Sequence, residues 1–178
     1  MQALRSVTYE LRVMDSWLQM ASSRLEVTVV DSEPPTLEAL LAEPDCLWPP
    51  DHKFQRYTLG ETIQFQVSDL CDSSPRVVIA GVTSSEPDFS LDPADVRADI
   101  RFAPSAVCLR AERLGEGVGR VYDVTLEAID GAGNVASASV PVAVVPHDQR
   151  EQPCTGGASD RVAENDPACN MGSAGVEP

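Results

Sequence analysis

The stretch GRVYDVTLEAIDGAGNVASASVPVAVV, Gly119 to Val145, leaves few folds open to this chain. Val121, Asp123 and Thr125 alternate with Tyr122, Val124 and Leu126, so apolar side chains recur every second residue, the period of a half-buried strand. Asp130, Gly131, Ala132, Gly133 and Asn134 then interrupt the pattern with turn-forming residues. Val140, Val142 and Val144 resume the same period on one face. Apolar residues do not recur at three and four, which argues against a helix. Two paired strands cannot hide an apolar face by themselves, so the remaining chain must supply a partner sheet.

The hairpin has an echo at the N-terminus. Placing Asp15 under Asp130 gives a shift of 130 − 15 = 115, and no gap is needed from Arg5 over Arg120 through Val29 over Val144. Leu11 then falls on Leu126, Ala21 on Ala136, Ser22 on Ser137 and Val27 on Val142. The loop letters differ, SWLQM standing where GAGNV stands, so the first copy is expected to have lost the turn. A shift of this size matches one sandwich domain of roughly 100 residues. Residues 1–30 are therefore expected to be the closing hairpin of a preceding, similar domain. The competing explanation is that any two half-buried hairpins look alike. Asp31-Ser32-Glu33-Pro34-Pro35 follows the first copy like an interdomain linker, with prolines stopping the strand.

Read in order, 36–146 yields about seven strands at sandwich spacing. Thr36 to Ala42 is an irregular first strand, and Leu47-Trp48-Pro49-Pro50 a stiff turn in which prolines forbid ladder pairing. Phe54 to Leu59 follows, then Thr62 to Asp69 with Ile63, Phe65 and Val67 inward. Arg76 to Thr83 is apolar enough for the sandwich centre. Beyond the acidic loop 84–97 come Ala98 to Phe102 and Ala106 to Ala111, the latter with Val107, Leu109 and Ala111 inward and Cys108 and Arg110 outward. The tail, 147–178, has no apolar periodicity and reads as disordered or loosely tied.

Composition removes several partners. A formal net charge of −15 argues against nucleic acid and against an anionic membrane surface. No run approaches the roughly 20 apolar residues needed to cross a bilayer, which predicts no membrane insertion. The first residues do not form a signal peptide, because Arg12 and Asp15 break the apolar run. Five cysteines nonetheless suit an oxidising, extracellular or cell-surface location. The two facts agree if the chain is the C-terminal piece of a longer exported protein.

Four segments carry a resemblance: LWPPDHK at 47–53, VTSSEPD at 82–88, LRAERLGEGVGRVYDVTLEAIDGAGN at 109–134 and VPHDQ at 145–149. Together they resemble the immunoglobulin-like repeat of large exported bacterial proteins, related to the hyalin-type (HYR) repeat, over Pro34 to about Gln149. The resemblance implies a secreted β-sandwich adhesion or accessory module with no catalytic activity of its own. Asp51 departs from the asparagine usual in the PPNH pattern, and loop 84–97 is shorter than in many relatives.

Reactive chemistry is sparse. The two histidines, His52 and His147, lie in no metal-spaced motif, and His52 beside Asp51 reads as a structural hydrogen-bonding pair. GEGVG at 115–119 lies between strands, so it is a turn and not a phosphate cradle. One carboxylate constellation is a candidate calcium site: Asp31, Glu33, Asp69, Asp72, Asp130 and Asn134 come from separate loops expected at one end of the sandwich. The AIDGAG run also looks like the aspartate turn of cadherin repeats, which helps bind calcium at a domain joint. The competing reading is a set of turn carboxylates making local backbone bonds. A second acidic group, Glu86, Asp88, Asp92, Asp95 and Glu112, is expected at the other end. No other cofactor is indicated.

Among the cysteines, Cys154 and Cys169 are expected to close a loop within the tail. Cys46, Cys71 and Cys108 allow three pairings, of which Cys71–Cys108 is preferred from the expected strand order, leaving Cys46 odd. The sequence therefore predicts an all-β, immunoglobulin-like antiparallel sandwich with a structural, spacing or adhesion role and no enzyme activity. Its partners would be neighbouring domains of the same polypeptide and a surface protein or glycan. The alternative is a carbohydrate- or protein-binding accessory module of a secreted hydrolase. An exposed aromatic platform would favour that alternative, and Trp17 and Trp48 are expected to be buried or scattered.

Overall fold

A computed structural model of the chain describes residues 3–87, 98–115, 119–144, 154, 161–163 and 166–171. The described residues hold eleven strands in order: β1 Ala3–Met14, β2 Met20–Val30, β3 Thr36–Ala42, β4 Cys46–Leu47, β5 Phe54–Thr58, β6 Ile63–Ser68, β7 Arg76–Ser84, β8 Ile100–Ala103, β9 Ala106–Arg110, β10 Arg120–Ile129 and β11 Val135–Val144. The fold is an all-β sandwich. β4-β11-β10-β7 form a four-stranded sheet, and β3-β6 and β5-β9-β8 form the sheets that share its core.

The alternation of β10 is realised directly. Arg120, Tyr122, Val124, Leu126 and Ala128 are buried while the intervening residues are not fully so. Tyr122, Val124 and Leu126, with Val140, Val142 and Val144 of β11, meet Ile79 and Val82 of β7, Ile63 of β6, Tyr57 of β5, and Val107 and Leu109 of β9 in one cluster. A fully buried Val or Leu contributes about 1.5–3 kcal/mol relative to exposure, so this cluster is the main stabilising element.

Three expectations need correction. β7 pairs with β10 alone and forms an edge of its sheet instead of the centre. Leu47, expected in a turn without ladder pairing, pairs with Val144 in β4, a two-residue strand parallel to β11 and too short for a period to show. In β9 Cys108 and Arg110, expected to face solvent, are buried like their neighbours. Arg110 turns into an ion network, and Cys108 is covered by Cys169 of the tail.

Among the described residues, β1 and β2 pair with each other and with no other strand. Their register runs from Arg5↔Val29 to Met14↔Met20, each pair summing to 34. β10 and β11 run from Arg120↔Val144 to Ile129↔Val135, each pair summing to 264, and 264 − 34 is twice 115. The two hairpins therefore share one register over ten consecutive pairs.

They share the turn as well. Asp15 Oδ1 accepts from the backbone N–H groups of Trp17 and Gln19, both at 2.9 Å. Asp130 Oδ1 accepts from those of Ala132 and Asn134, both at 2.8 Å. Leu18 (φ 62°) stands where Gly133 (φ 89°) stands, in the left-handed region that a leucine rarely visits. The expected loss of the turn in the first copy is thus corrected: aspartate at its first position is enough to organise it.

Candidate functional site

The end of the sandwich nearest the Asp31–Pro35 joint gathers all six candidate calcium residues through hydrogen bonds. Asn134 is the centre. Its Nδ2 donates to Asp130 Oδ2 at 2.7 Å, to the Glu33 carbonyl at 3.2 Å and to the Asp31 carbonyl at 3.5 Å. The β10–β11 turn therefore clasps the joint that leads in from β2. Asp72 Oδ2 accepts from Gly131 N–H at 2.8 Å, which ties the β6–β7 loop to the same turn. Asp69 Oδ1 accepts from the N–H groups of Cys71 and Asp72, both at 2.7 Å, and Asp31 Oδ1 from Glu33 N–H at 3.2 Å.

These are Asx-type turn bonds, and they account for the positions of the carboxylates without an ion. Partial desolvation raises the Asp130 carboxyl, but bonds from Asn134, Ala132 and Gly133 outweigh it and hold the group below its ordinary 3.8. Among the described residues, the atoms close enough to share a metal are a carboxylate oxygen each of Asp31 and Asp69 and the Cys71 sulfur, all within 4.8 Å of one another. Calcium takes about 6–8 oxygen ligands, and two carboxylates with a thiol are a poor match. Glu33 takes part through its carbonyl, and Asn134 through its NH2 and not its oxygen. Cys71 is an exposed free thiol, pushed up by desolvation and then by Asp31, Asp69 and Asp130.

The expected Cys71–Cys108 and Cys154–Cys169 pairings are both corrected. The bonds are Cys46–Cys154 and Cys108–Cys169. Cys71 lies at the joint end, while Cys108 sits on the outer face of β9 beneath the tail, so the two never approach. The described part of the tail is not loose. Val162 makes an antiparallel bridge to Phe54 at the free edge of β5, with N···O distances of 3.0 and 2.9 Å. Phe54, Cys108 and Cys169 form a second small core with Val162 and Met171 packed against it.

The resemblance motifs acquire physical roles. The guanidinium of Arg120 donates to Asp99 Oδ2 at 2.6 Å and to the Tyr122 hydroxyl at 2.9 Å, and also to the Pro87 carbonyl. Tyr122 in turn donates to the Arg110 carbonyl at 2.9 Å. Arg110 meets Asp99 at 3.4 Å and Glu112 at 3.3 Å. Arg110 and Glu112 of LRAER and Arg120 and Tyr122 of GRVY thus close one buried network around Asp99. Burial pushes the Asp99 carboxyl up against the downward pull of both arginines. His52 pairs with Glu112 at 3.3 Å and not with Asp51, a correction to the expected pair. The Trp48-Pro49-Pro50-Asp51 turn binds a third arginine, Arg161.

Arg161 escaped the sequence reading because it lies in a polar tail with no period. The one available signal was negative: a single arginine between two cysteines in a segment otherwise short of cations. Of the second acidic group, Asp88, Asp92 and Asp95 lie outside the described residues, as do His147 and the VPHDQ segment. Glu86 accepts from Leu114 N–H at 2.6 Å, which ties the start of loop 84–97 to the segment between β9 and β10. No family model matches the chain, and no curated protein or solved structure matches it.

Proposed function

We propose that the chain is a non-catalytic spacer or adhesion module of an exported, multidomain protein, in which consecutive sandwiches are joined through the clasp at Asn134. The observation that carries this is the duplicated hairpin. β1–β2 has the register and turn of β10–β11, and its equivalent face bears Val7, Tyr9, Leu11 and Val13 opposite Leu25, Val27 and Val29. In β10–β11 that face is core; in β1–β2 Tyr9 is 60%, Leu11 67% and Leu25 63% exposed. An apolar face of this kind calls for a covering sheet. On this reading β1–β2 closes a preceding repeat of the same polypeptide, and the joint passes directly into the clasp. The two disulfides support an oxidising, extracellular setting. The test is a chain extended upstream by one repeat of its own polypeptide. Protection of β1–β2 amides should rise to that of β10–β11; unchanged protection would reject the tandem arrangement.

A second reading, a carbohydrate-binding accessory module, is favoured by Trp17. It is 83% exposed at the tip of the first hairpin, the scattered and not the buried alternative expected for it. Saturable binding to an immobilised glycan, abolished by Trp17→Ala, would establish it. Absence of binding across a glycan panel would leave the spacer role.

A further inference from the structure

The tail contact has the form of peptide recognition. Arg161 has a fully buried side chain. Its Nη1 donates to the Pro49 carbonyl at 2.5 Å and to Asp51 Oδ1 at 2.9 Å, and its Nη2 donates to the Trp48 carbonyl at 2.9 Å. Two carbonyls and one carboxylate, arranged around a planar fork, select a guanidinium over an ammonium. The next residue, Val162, adds to the edge of β5 by two backbone bonds with Phe54. Strand addition at a free sheet edge, with specificity from an adjacent side-chain pocket, is a recurrent way of binding extended peptides. Further along, the Ala168 carbonyl accepts from Arg56 at 3.2 Å.

We propose that the Trp48–Asp51 turn and the free edge of β5 form a docking site for an extended, arginine-bearing segment, filled in this chain by its own Arg161–Val162. The ligand class is a peptide with arginine followed by a residue free to pair as a strand. The Cys46–Cys154 and Cys108–Cys169 bonds flank the segment and act as tethers that raise its local concentration at the site. Binding resides in the socket and the strand edge, and the covalent bonds keep other peptides out. The inference stands apart from the tandem reading, because it uses no residue of β1 or β2.

The test is done on the full chain carrying Arg161→Ala, Val162→Pro, Cys154→Ser and Cys169→Ser, which vacates the site and releases the tethers. A synthetic peptide of sequence 159–170, with serine for its cysteine, is titrated while the Phe54 amide is followed by NMR. The account expects saturable binding with a shift of that amide, and none with the unsubstituted chain. A peptide carrying Arg161→Lys should bind at least about tenfold more weakly. No binding to the vacated chain while its β10–β11 amides remain protected would overturn the proposal, as would equal binding of the lysine peptide.

If the vacated chain fails to fold, hydrogen exchange on the unsubstituted chain decides. After mild thiol reduction the Phe54 amide should stay protected, and Arg161→Lys should remove that protection. Loss of protection on reduction alone, with β10–β11 intact, would show that the disulfides are all that holds the segment.

Discussion

The chain presents one hairpin twice, in two surroundings. β10–β11 and β1–β2 have the same register, the same five-residue turn and the same apolar face. Tyr122, Val124 and Leu126 are fully buried, whereas their counterparts Val7, Tyr9 and Leu11 are open to solvent in whole or part. The difference teaches that period and turn chemistry specify the hairpin locally, while burial is supplied by whatever packs on it. A β-hairpin alone is marginal in water, so the first copy should be the weakest part of this molecule.

Matched substitutions at positions 115 apart can break that comparison. The largest contrast is expected at the arginine pair. Arg120→Ala leaves Asp99 buried and half-compensated, which should cost about 3–5 kcal/mol of unfolding free energy by denaturant titration. Arg5→Ala, on an exposed strand, should change it by less than about 0.5 kcal/mol. Leu126→Ala should cost about 2–5 kcal/mol through lost burial and the cavity left behind, against less than about 0.5 kcal/mol for Leu11→Ala. Equal costs at either pair would mean that β1–β2 is packed after all.

Smaller effects sharpen the turn comparison. Asn134→Ala removes the amide that clasps the Asp31 and Glu33 carbonyls and should cost about 1 kcal/mol, while Gln19→Ala at the matching position should cost nothing measurable. The Asp130 carboxyl is held below its ordinary 3.8 in the folded chain. Its contribution to stability is therefore present above that value and is lost as pH falls through the lower, folded one. Asp130→Asn should flatten this part of the acid limb in a melting series, lowering the melting point in the neutral region and leaving it nearly unchanged at low pH. Melting in millimolar calcium and in chelator should coincide, because the carboxylates are already engaged by backbone N–H groups. A rise with calcium that Asp130→Asn removes would restore the metal reading.

The parts legible in the sequence were those with a period. β3 runs over the expected Thr36–Ala42, β6 keeps Ile63, Phe65 and Val67 on one side, and β10–β11 forms as read. The joint cluster was also legible, because turn aspartates mark loop ends and alternating strands decide which loops share an end. The tail was not. Cys154, Arg161 and Cys169 are held by partners more than 60 residues away in sequence, chosen by the folded surface and not by neighbours. Five cysteines can pair in several ways, and an outward position on β9 gives no hint that another segment will cover it.

Among the described residues, β1–β2 repeats the register and turn of the closing hairpin but has no covering sheet. Native-state hydrogen exchange on the full chain tests it most directly, since the paired amides of both hairpins are read in one experiment. β10–β11 amides should exchange only through global unfolding, while β1–β2 amides exchange through a local opening and at least about a hundredfold faster. Equal protection in the two hairpins would contradict it, for then the first copy would be as well buried as the second.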